Sequence, residues 1–223
     1  MSFWRKTWTL IAKDLTAEWR RRESLTVMFV FSLMVVVILN FAFELRVDNV
    51  LEVAPGALWV TFAFAGVLGL SRSLARERED GCLEGLMMAP VGPAAIYVAK
   101  AAANLMFMAG TEIVVLPVFA ALFSVNVLRL DLIVVLLLGT VGLAAVGTLL
   151  SAMAVHTRAR DVLLPVLLLP ISVPLLIAAA KATAGLLDGA GFGGVGGWLQ
   201  LLVVFDVLFV AVSGAMFGYI LEE

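Results

Sequence analysis

The sequence Arg76-Glu77-Arg78-Glu79-Asp80-Gly81-Cys82-Leu83-Glu84-Gly85-Leu86-Met87-Met88-Ala89-Pro90 separates two long apolar stretches of this chain. Its first half is densely charged, and its second half repeats apolar residues at helical spacing before a proline. A segment with so many charges cannot lie in hydrocarbon. Because acidic residues favour the start of a helix and proline ends one, the segment predicts a charged turn followed by a short amphipathic helix over 76–90.

The composition of the whole chain predicts an integral membrane protein. The 223 residues are 63% hydrophobic and 14% charged, whereas soluble proteins are about half apolar and about a quarter charged. Six apolar segments have the roughly 20 residues that cross about 30 Å of hydrocarbon. The predicted fold is a single all-α transmembrane domain, residues 1–223, with spans at about 24–43, 54–74, 94–122, 131–155, 161–184 and 197–221.

The first 23 residues predict a separate amphipathic helix. Trp4, Trp8, Ile11, Leu15 and Trp19 recur every three or four residues, between charged positions. Tryptophan beside cations is typical of a helix that lies flat among lipid headgroups. The alternative is a soluble helix packed on another subunit. With charges throughout and no small-residue cleavage site, a cleaved signal peptide is not expected.

The distribution of cations predicts how the spans are oriented. By the positive-inside rule, both termini lie in the cytoplasm and the loops at 44–53, 123–130 and 185–196 face outward. The last of these loops is glycine-rich and is expected to be a flexible turn with a half-inserted segment. In a six-span chain, eleven cations fall on one side and three on the other: Arg5, Lys6, Lys13, Arg20, Arg21, Arg22, Arg72, Arg76, Arg78, Arg158 and Arg160 against Arg46, Arg129 and Lys181.

Four polar residues inside the spans form a candidate intramembrane site. Lys100, Asn104 and Glu112 lie in the third span and Asp206 in the sixth. Lys100 is expected to extend its amine to the cytoplasmic headgroups. The two acids lie near mid-depth, where a charge costs about 2.5 to 3.5 kcal/mol, so each is expected to be protonated, paired or lining a cavity. Structural and functional interpretations of both acids stay open.

The fifth span contains three prolines, Pro165, Pro170 and Pro174. Proline removes a backbone donor and bends a helix, which membranes tolerate only where neighbours or water satisfy the carbonyls. The sequence therefore predicts a kinked or broken helix.

The sequence contains no motif for catalysis or nucleotide binding. It has no Walker A pattern, no HExxH and no nucleophile elbow, and its one histidine, His156, lies in a predicted cytoplasmic loop. A lone histidine is a poor metal or haem site, because such sites need several converging ligands. Cys82, the one cysteine, excludes an intrachain disulfide and is assigned to packing in the short helix. No catalytic residue, bound metal or nucleic-acid partner is expected, so any energy source must reside on another chain.

The charged segment resembles the coupling helix of type-2 ATP-binding-cassette (ABC) exporters, the element on which a separate ATPase pushes. The pattern is Glu-x-Glu-x-Gly-x-Leu-Glu-x-Leu-x-x-x-Pro after the second span. It is carried here by Glu77, Glu79, Gly81, Leu83, Glu84, Leu86 and Pro90.

The whole chain is similar to the haem exporter protein B (CcmB) family, the permease subunits of system I cytochrome c maturation. The similarity is carried by the entry segment 14–25, by 70–79 and 81–86 around the coupling motif, and by the proline-rich 164–174. The final loop departs from the family in being unusually rich in glycine.

The resemblance implies a complex in the bacterial inner membrane. An ATPase subunit (CcmA) would bind ATP and Mg²⁺ and push on the coupling helix, alongside the haem-handling subunits CcmC and CcmD and the haem chaperone CcmE, with two copies of this chain and haem as possible cargo. The sequence lacks the tryptophan-rich segment and paired histidines of haem-holding subunits, which favours release of the loaded chaperone over haem export. A generic type-2 exporter of lipid, polysaccharide or drug, and a non-transporting assembly scaffold, are the alternatives.

Overall fold

A computed structural model describes residues 3–44, 50–79, 91–127, 129–155, 157 and 160–222. In this part of the chain the secondary structure is entirely helical, with seven α-helices. In order they are α1 (Phe3–Arg21), α2 (Glu23–Glu44), α3 (Val50–Glu79), α4 (Pro93–Phe123), α5 (Leu130–Val155), α6 (Arg160–Leu187) and α7 (Gly191–Glu222).

Helices α2 to α7 are each long and apolar enough to cross a membrane. The prediction of six spans is confirmed, including the third, whose polar residues do not interrupt α4. One boundary differs. The apolar window of α3 ends at Arg72, but the helix continues to Glu79. Residues 76–79 are therefore the last turn of α3 and not a turn between helices. A charged sequence ends the apolar window, but it does not by itself end a helix.

Helices α3 and α5 form the centre of the bundle. About two thirds of the apolar window of α3 and 72% of that of α5 are buried within the chain, against a third or less in the other spans. Helix α5 contacts α3, α4, α6 and α7. Its glycines admit bulky neighbours: the ring of Trp59 occupies the position of a Cβ on Gly139, and Leu70 does the same at Gly147. Small residues let membrane helices approach closely.

Trp59 of α3 contacts both α5 and α6. Its side chain is fully buried, and its indole N–H donates a hydrogen bond of 3.0 Å to Thr183 Oγ1 of α6. A buried tryptophan N–H needs such a partner, since leaving it bare in an apolar core is costly. Trp59 of α3 thus contacts α5 with its ring and α6 with its nitrogen.

Helix α1 packs along α4. Thr7, Ile11 and Glu18 are its buried residues, whereas Trp4, Trp8 and Trp19 are 67 to 75% exposed. The predicted face is therefore split, with Ile11 turned to the bundle and the tryptophans turned outward. The exposure of the tryptophans suits contact with lipid, which stays a prediction. The same holds for packing of α1 on another subunit.

The predicted turn between the last two spans is present but short, at residues 188–190. The predicted extent of the loop, 185–196, is wrong, because most of the glycine-rich segment belongs to α6 and α7. Gly189 has a φ of +85°, and the amides of Gly189 and Ala190 donate to the carbonyls of Leu186 (3.1 Å) and Gly185 (2.9 Å). This is the Schellman pattern, which favours glycine at its left-handed position. Helix α7 starts at Gly191, because a chain in hydrocarbon must satisfy its backbone internally.

Helix α6 is continuous from Arg160 to Leu187 through all three prolines. The prediction of a broken helix is wrong, and a bend remains a prediction. Pro170 and Pro174 are exposed, while Leu168, Ser172 and Leu175 are buried. These two prolines therefore lie away from the core, whereas Pro165 is half-buried.

Candidate functional site

The predicted coupling segment joins the ends of α3 and α4. The backbones of Glu77 and Glu79 belong to the last turn of α3, and α4 begins at Pro93. The remaining motif positions, together with Cys82 and His156, lie outside the described residues: Gly81, Leu83, Glu84, Leu86 and Pro90. The roles assigned to these residues stay predictions. The segment nevertheless has defined attachments, a central helix on one side and the helix with the polar residues on the other.

The polar residues of α4 form one buried stripe. Lys100, Asn104, Met108 and Glu112 follow one another at intervals of four and are 2 to 7% exposed. Four residues advance an α-helix by slightly more than one turn, so such a stripe drifts slowly around the axis. The stripe therefore meets different neighbours along its length.

Lys100 forms an ion pair with α1. Its Nζ lies 2.6 Å from Asp14 Oδ2, and the two side chains are 3% and 12% exposed. The prediction that Lys100 extends to the headgroups is wrong, because a carboxylate of the same chain lies within reach and satisfies the buried amine at less cost. The pair fixes α1 against α4.

Asn104 and Glu112 both meet threonines of α5. Asn104 Nδ2 donates to Thr148 Oγ1 at 2.9 Å, and the Thr140 hydroxyl lies 2.7 Å from Glu112 Oε1. The later residue of α4 pairs with the earlier threonine of α5, as in two antiparallel helices. These contacts fix the register of α4 on α5.

The hydroxyl of Thr140 has two oxygen neighbours. Besides Glu112, it lies 2.8 Å from the carbonyl of Leu136. A hydroxyl has a single proton to donate, so Thr140 shares it between Glu112 Oε1 and the Leu136 carbonyl. The contact joins Glu112 of α4 to α5.

Asp206 has a different environment. It is 7% exposed, and among the described residues neither carboxyl oxygen has a hydrogen-bond partner. A Cβ added to Gly142 of α5 would lie 2.6 Å from Asp206 Oδ1. Gly142 and Thr140 are two positions apart, so they lie on nearly opposite sides of α5. Helix α5 therefore separates Asp206 from Glu112, and the structure does not bring the two acids together.

Comparison with known proteins identifies the family. The model of the family described as "CcmB protein" matches residues 5–222. The chain belongs to the CcmB family. Among its relatives are three proteins named "Heme exporter protein B". That of Rhodobacter capsulatus is 33% identical over 77% of this chain and 79% of its own length. The proteins of Pseudomonas aeruginosa (27% identity, 86% and 87% coverage) and Haemophilus influenzae (28%, 92% and 91%) are similar over more of the chain.

Together, the family match and the six apolar helices make this CcmB-family chain an all-α, multi-pass bacterial membrane protein. Sequence reasoning missed three of its polar contacts. Asp14 pairs with Lys100, Glu18 accepts hydrogen bonds from the amides of Ser24 and Leu25 at 2.7 and 3.1 Å, and Asn40 of α2 donates to the carbonyl of Leu122 at 2.9 Å. The spacing of Thr7, Ile11, Asp14 and Glu18 on one face of α1 was the available signal.

Proposed function

We propose that this chain is the permease subunit of an ATP-driven complex for cytochrome c maturation. The observation that carries the proposal is the family match over residues 5–222. The relatives that the chain matches over most of their length are named for haem export. ATP hydrolysis takes place on a separate ATPase subunit, CcmA, which holds ATP and Mg²⁺. The chain itself is a non-catalytic subunit of that complex.

The arrangement of helices supports a mechanical role. Helix α3 continues about seven residues past Arg72, roughly 10 Å at the rise of an α-helix. It leads into the coupling segment, and it packs on α2, α4, α5 and α6. A push on residues 76–90 therefore reaches a central helix. Arg72, where the apolar window ends, forms an ion pair of 3.0 Å with Glu23 at the start of α2.

In this proposal the complex lies in the inner membrane and both termini of the chain lie in the cytoplasm. The complex contains two copies of the chain around a twofold axis. CcmC, CcmD and the haem chaperone CcmE are the further partners. The motion drives either haem export or release of the haem-loaded chaperone. The chain has a single histidine. This favours release, because histidine is a common axial ligand of haem iron.

The test of this function is charge reversal in the coupling segment. We expect the triple variant Glu77→Lys, Glu79→Lys, Glu84→Lys to lose the ATPase subunit, because the acids provide the charge that the partner recognises. The measurement is the amount of ATPase subunit that co-purifies with a tagged membrane chain, together with the yield of mature cytochrome c.

A matched control reverses three acids around the connection between α2 and α3, at the opposite end of α3 from the coupling segment: Glu44→Lys, Asp48→Lys and Glu52→Lys. This variant has the same change in net charge and should retain the ATPase. Undiminished co-purification with the first triple variant would contradict the proposal. Loss of the ATPase from both variants would show that net charge, and not the coupling segment, controls the association.

A further inference from the structure

An open cleft lies where the turn between α1 and α2 meets α4. It has two lobes of about 430 and about 500 Å³, and Trp19, Leu25 and Gly110 line both. These volumes fall in the range of about 300 to 1,000 Å³ of small-molecule sites. Among the described residues, no neighbouring group comes within 4 Å of the position that a Cβ on Gly110 would occupy. The cleft belongs neither to the coupling segment nor to the buried stripe of α4.

The turn that forms one wall of the cleft has a defined conformation. Arg22, between α1 and α2, has a φ of +56°. Its amide donates to the carbonyl of Glu18 at 2.6 Å, and the carboxylate of Glu18 accepts the first free amides of α2. Such contacts satisfy amides that a helix leaves unpaired at its start. The wall is therefore preorganised and does not need a ligand in order to form.

The lining of the cleft combines apolar walls with one arginine in each lobe. Arg22 lines the first lobe and Arg20 the second, and both side chains are exposed. The guanidinium of Arg22 lies 5.4 Å from the centre of the Trp19 ring, a cation–π distance that holds it over the mouth of the cleft. The hydroxyl of Thr16 donates to the carbonyl of Ala12 in its own helix, and that of Thr26 donates to the carbonyl of Arg22 in the turn.

The position of the cleft along the bundle fits the boundary of a membrane. It adjoins Glu23, which pairs with Arg72 where the apolar window of α3 ends. The exposed ring of Trp19 lies on the same face of α1 as Trp4 and Trp8, and tryptophan is enriched at the level of the headgroups. The arginines thus lie near headgroup level, and the apolar lobes extend along α4.

We propose that this cleft is a binding site for one anionic phospholipid. The phosphate binds the guanidinium groups of Arg20 and Arg22, and the acyl chains occupy the two lobes on either side of Trp19. An amphiphile with a negative head and apolar tails matches a cleft that has cations at its mouth and apolar walls. The bound lipid would hold α1 in place against α4. The proposal is independent of ATP coupling and of haem.

The test is native mass spectrometry of the full-length chain, purified with its associated subunits and titrated with phosphatidylglycerol or phosphatidylcholine. We expect the wild-type chain to retain phosphatidylglycerol preferentially. The double variant Arg20→Gln, Arg22→Gln should bind it roughly tenfold or more weakly, since each cation near an anionic phosphate contributes to binding. Gly110→Leu should lower the affinity without changing the charge, because Gly110 lines both lobes and a leucine there would project into the cleft.

The matched control is the double variant Arg5→Gln, Arg21→Gln, which removes two cations of the same helix that do not line the cleft. It should retain the lipid like the wild type. Equal retention of phosphatidylcholine, or unchanged affinity in both cleft variants, would overturn the proposal. So would occupation of the cleft by haemin in place of the lipid, detected as a change in haem absorbance that the arginine variants abolish, or cross-linking of a second copy across it.

Discussion

Glu112 and Asp206 lie on nearly opposite faces of α5, and α5 offers the two acids different contacts. Glu112 meets the hydroxyl of Thr140 at 2.7 Å. Asp206 lies against the backbone of Gly142 and has no hydrogen-bond partner among the described residues. A buried polar group without a partner costs about 1 to 3 kcal/mol, so Asp206 gains no stability from hydrogen bonds within the described part of the chain. The comparison shows that two acids buried to the same extent differ in their partners, so burial alone does not tell which of them stabilises the fold.

The largest expected effect comes from filling the space beside Asp206. In Gly142→Val, the new Cβ would lie 2.6 Å from Asp206 Oδ1 and 2.7 Å from Leu175 Cδ1. Overpacking of this kind costs about 3 kcal/mol. Unfolding in mixed micelles, followed by tryptophan fluorescence, measures the change. The control is Gly196→Val, because no described neighbour lies within 4 Å of a Cβ at that position. Equal stability of the two variants would contradict the close packing at Gly142.

A gain in stability is expected when Asp206 is neutralised. Asp206→Asn keeps the shape and removes an ionisable group that has no partner among the described residues. The amide also lacks a partner, so the fold should gain at most about 2 kcal/mol. The matched variant Glu112→Gln should be near neutral, because Thr140 can still bond to the amide. If Asp206 serves the transport cycle, Asp206→Asn lowers the yield of mature cytochrome c while the fold becomes more stable. A destabilised Asp206→Asn would mean that the carboxyl has a favourable interaction after all.

On the other face of α5, a loss of stability is expected when Glu112 is deprived of its partner. Thr140→Val removes the hydroxyl and gives Glu112 the environment of Asp206, at a cost of about 1.5 kcal/mol. The control is Thr61→Val, since the hydroxyl of Thr61 is buried but donates to Ala57 of its own helix at 2.7 Å. The same unfolding assay compares the two variants. A loss no larger than that of the control would remove the distinction between the two acids.

The smallest effect is expected at Thr148, whose partner Asn104 is uncharged. Hydrogen bonds between membrane helices average about 0.6 kcal/mol, so Thr148→Val should cost about that much. Thr111→Val is the control, because the hydroxyl of Thr111 donates to Phe107 of its own helix. A loss at Thr148 as large as that at Thr140 would show that a contact with a carboxyl group is no more costly to break than one with an amide.

The helices were largely predictable, whereas their contacts were not. All six predicted spans are present, because a run of about 20 apolar residues is a local property of the chain. The glycines at 191–197 misled the prediction, because glycine disfavours helices in water but not where the backbone has no water to bond to. The uninterrupted α6 has a similar explanation, since Pro170 and Pro174 lie on its exposed face.

The candidate site was predictable as a set of residues but not as an arrangement. Lys100, Asn104, Glu112 and Asp206 are conspicuous because polar groups are rare inside spans. Their partners depend on how each helix is rotated about its axis, which a nearly uniform apolar sequence does not specify. The tryptophans of α1 indicated an amphipathic helix correctly, but the face that packs on α4 is the one with Thr7, Asp14 and Glu18.

The sequence by itself determined the membrane class, the number of spans and the family resemblance, because these follow from length, apolar content and motif spacing. Only the tertiary structure decided that Lys100 pairs with Asp14 and that Thr140 bonds Glu112. It also decided that Asp206 lies beside Gly142, with no hydrogen-bond partner in the part of the chain that the structure describes. The physical reason is that hydrophobicity acts on each helix separately, whereas hydrogen bonds and close packing act between atoms of different helices. Those atoms meet only once the bundle is assembled.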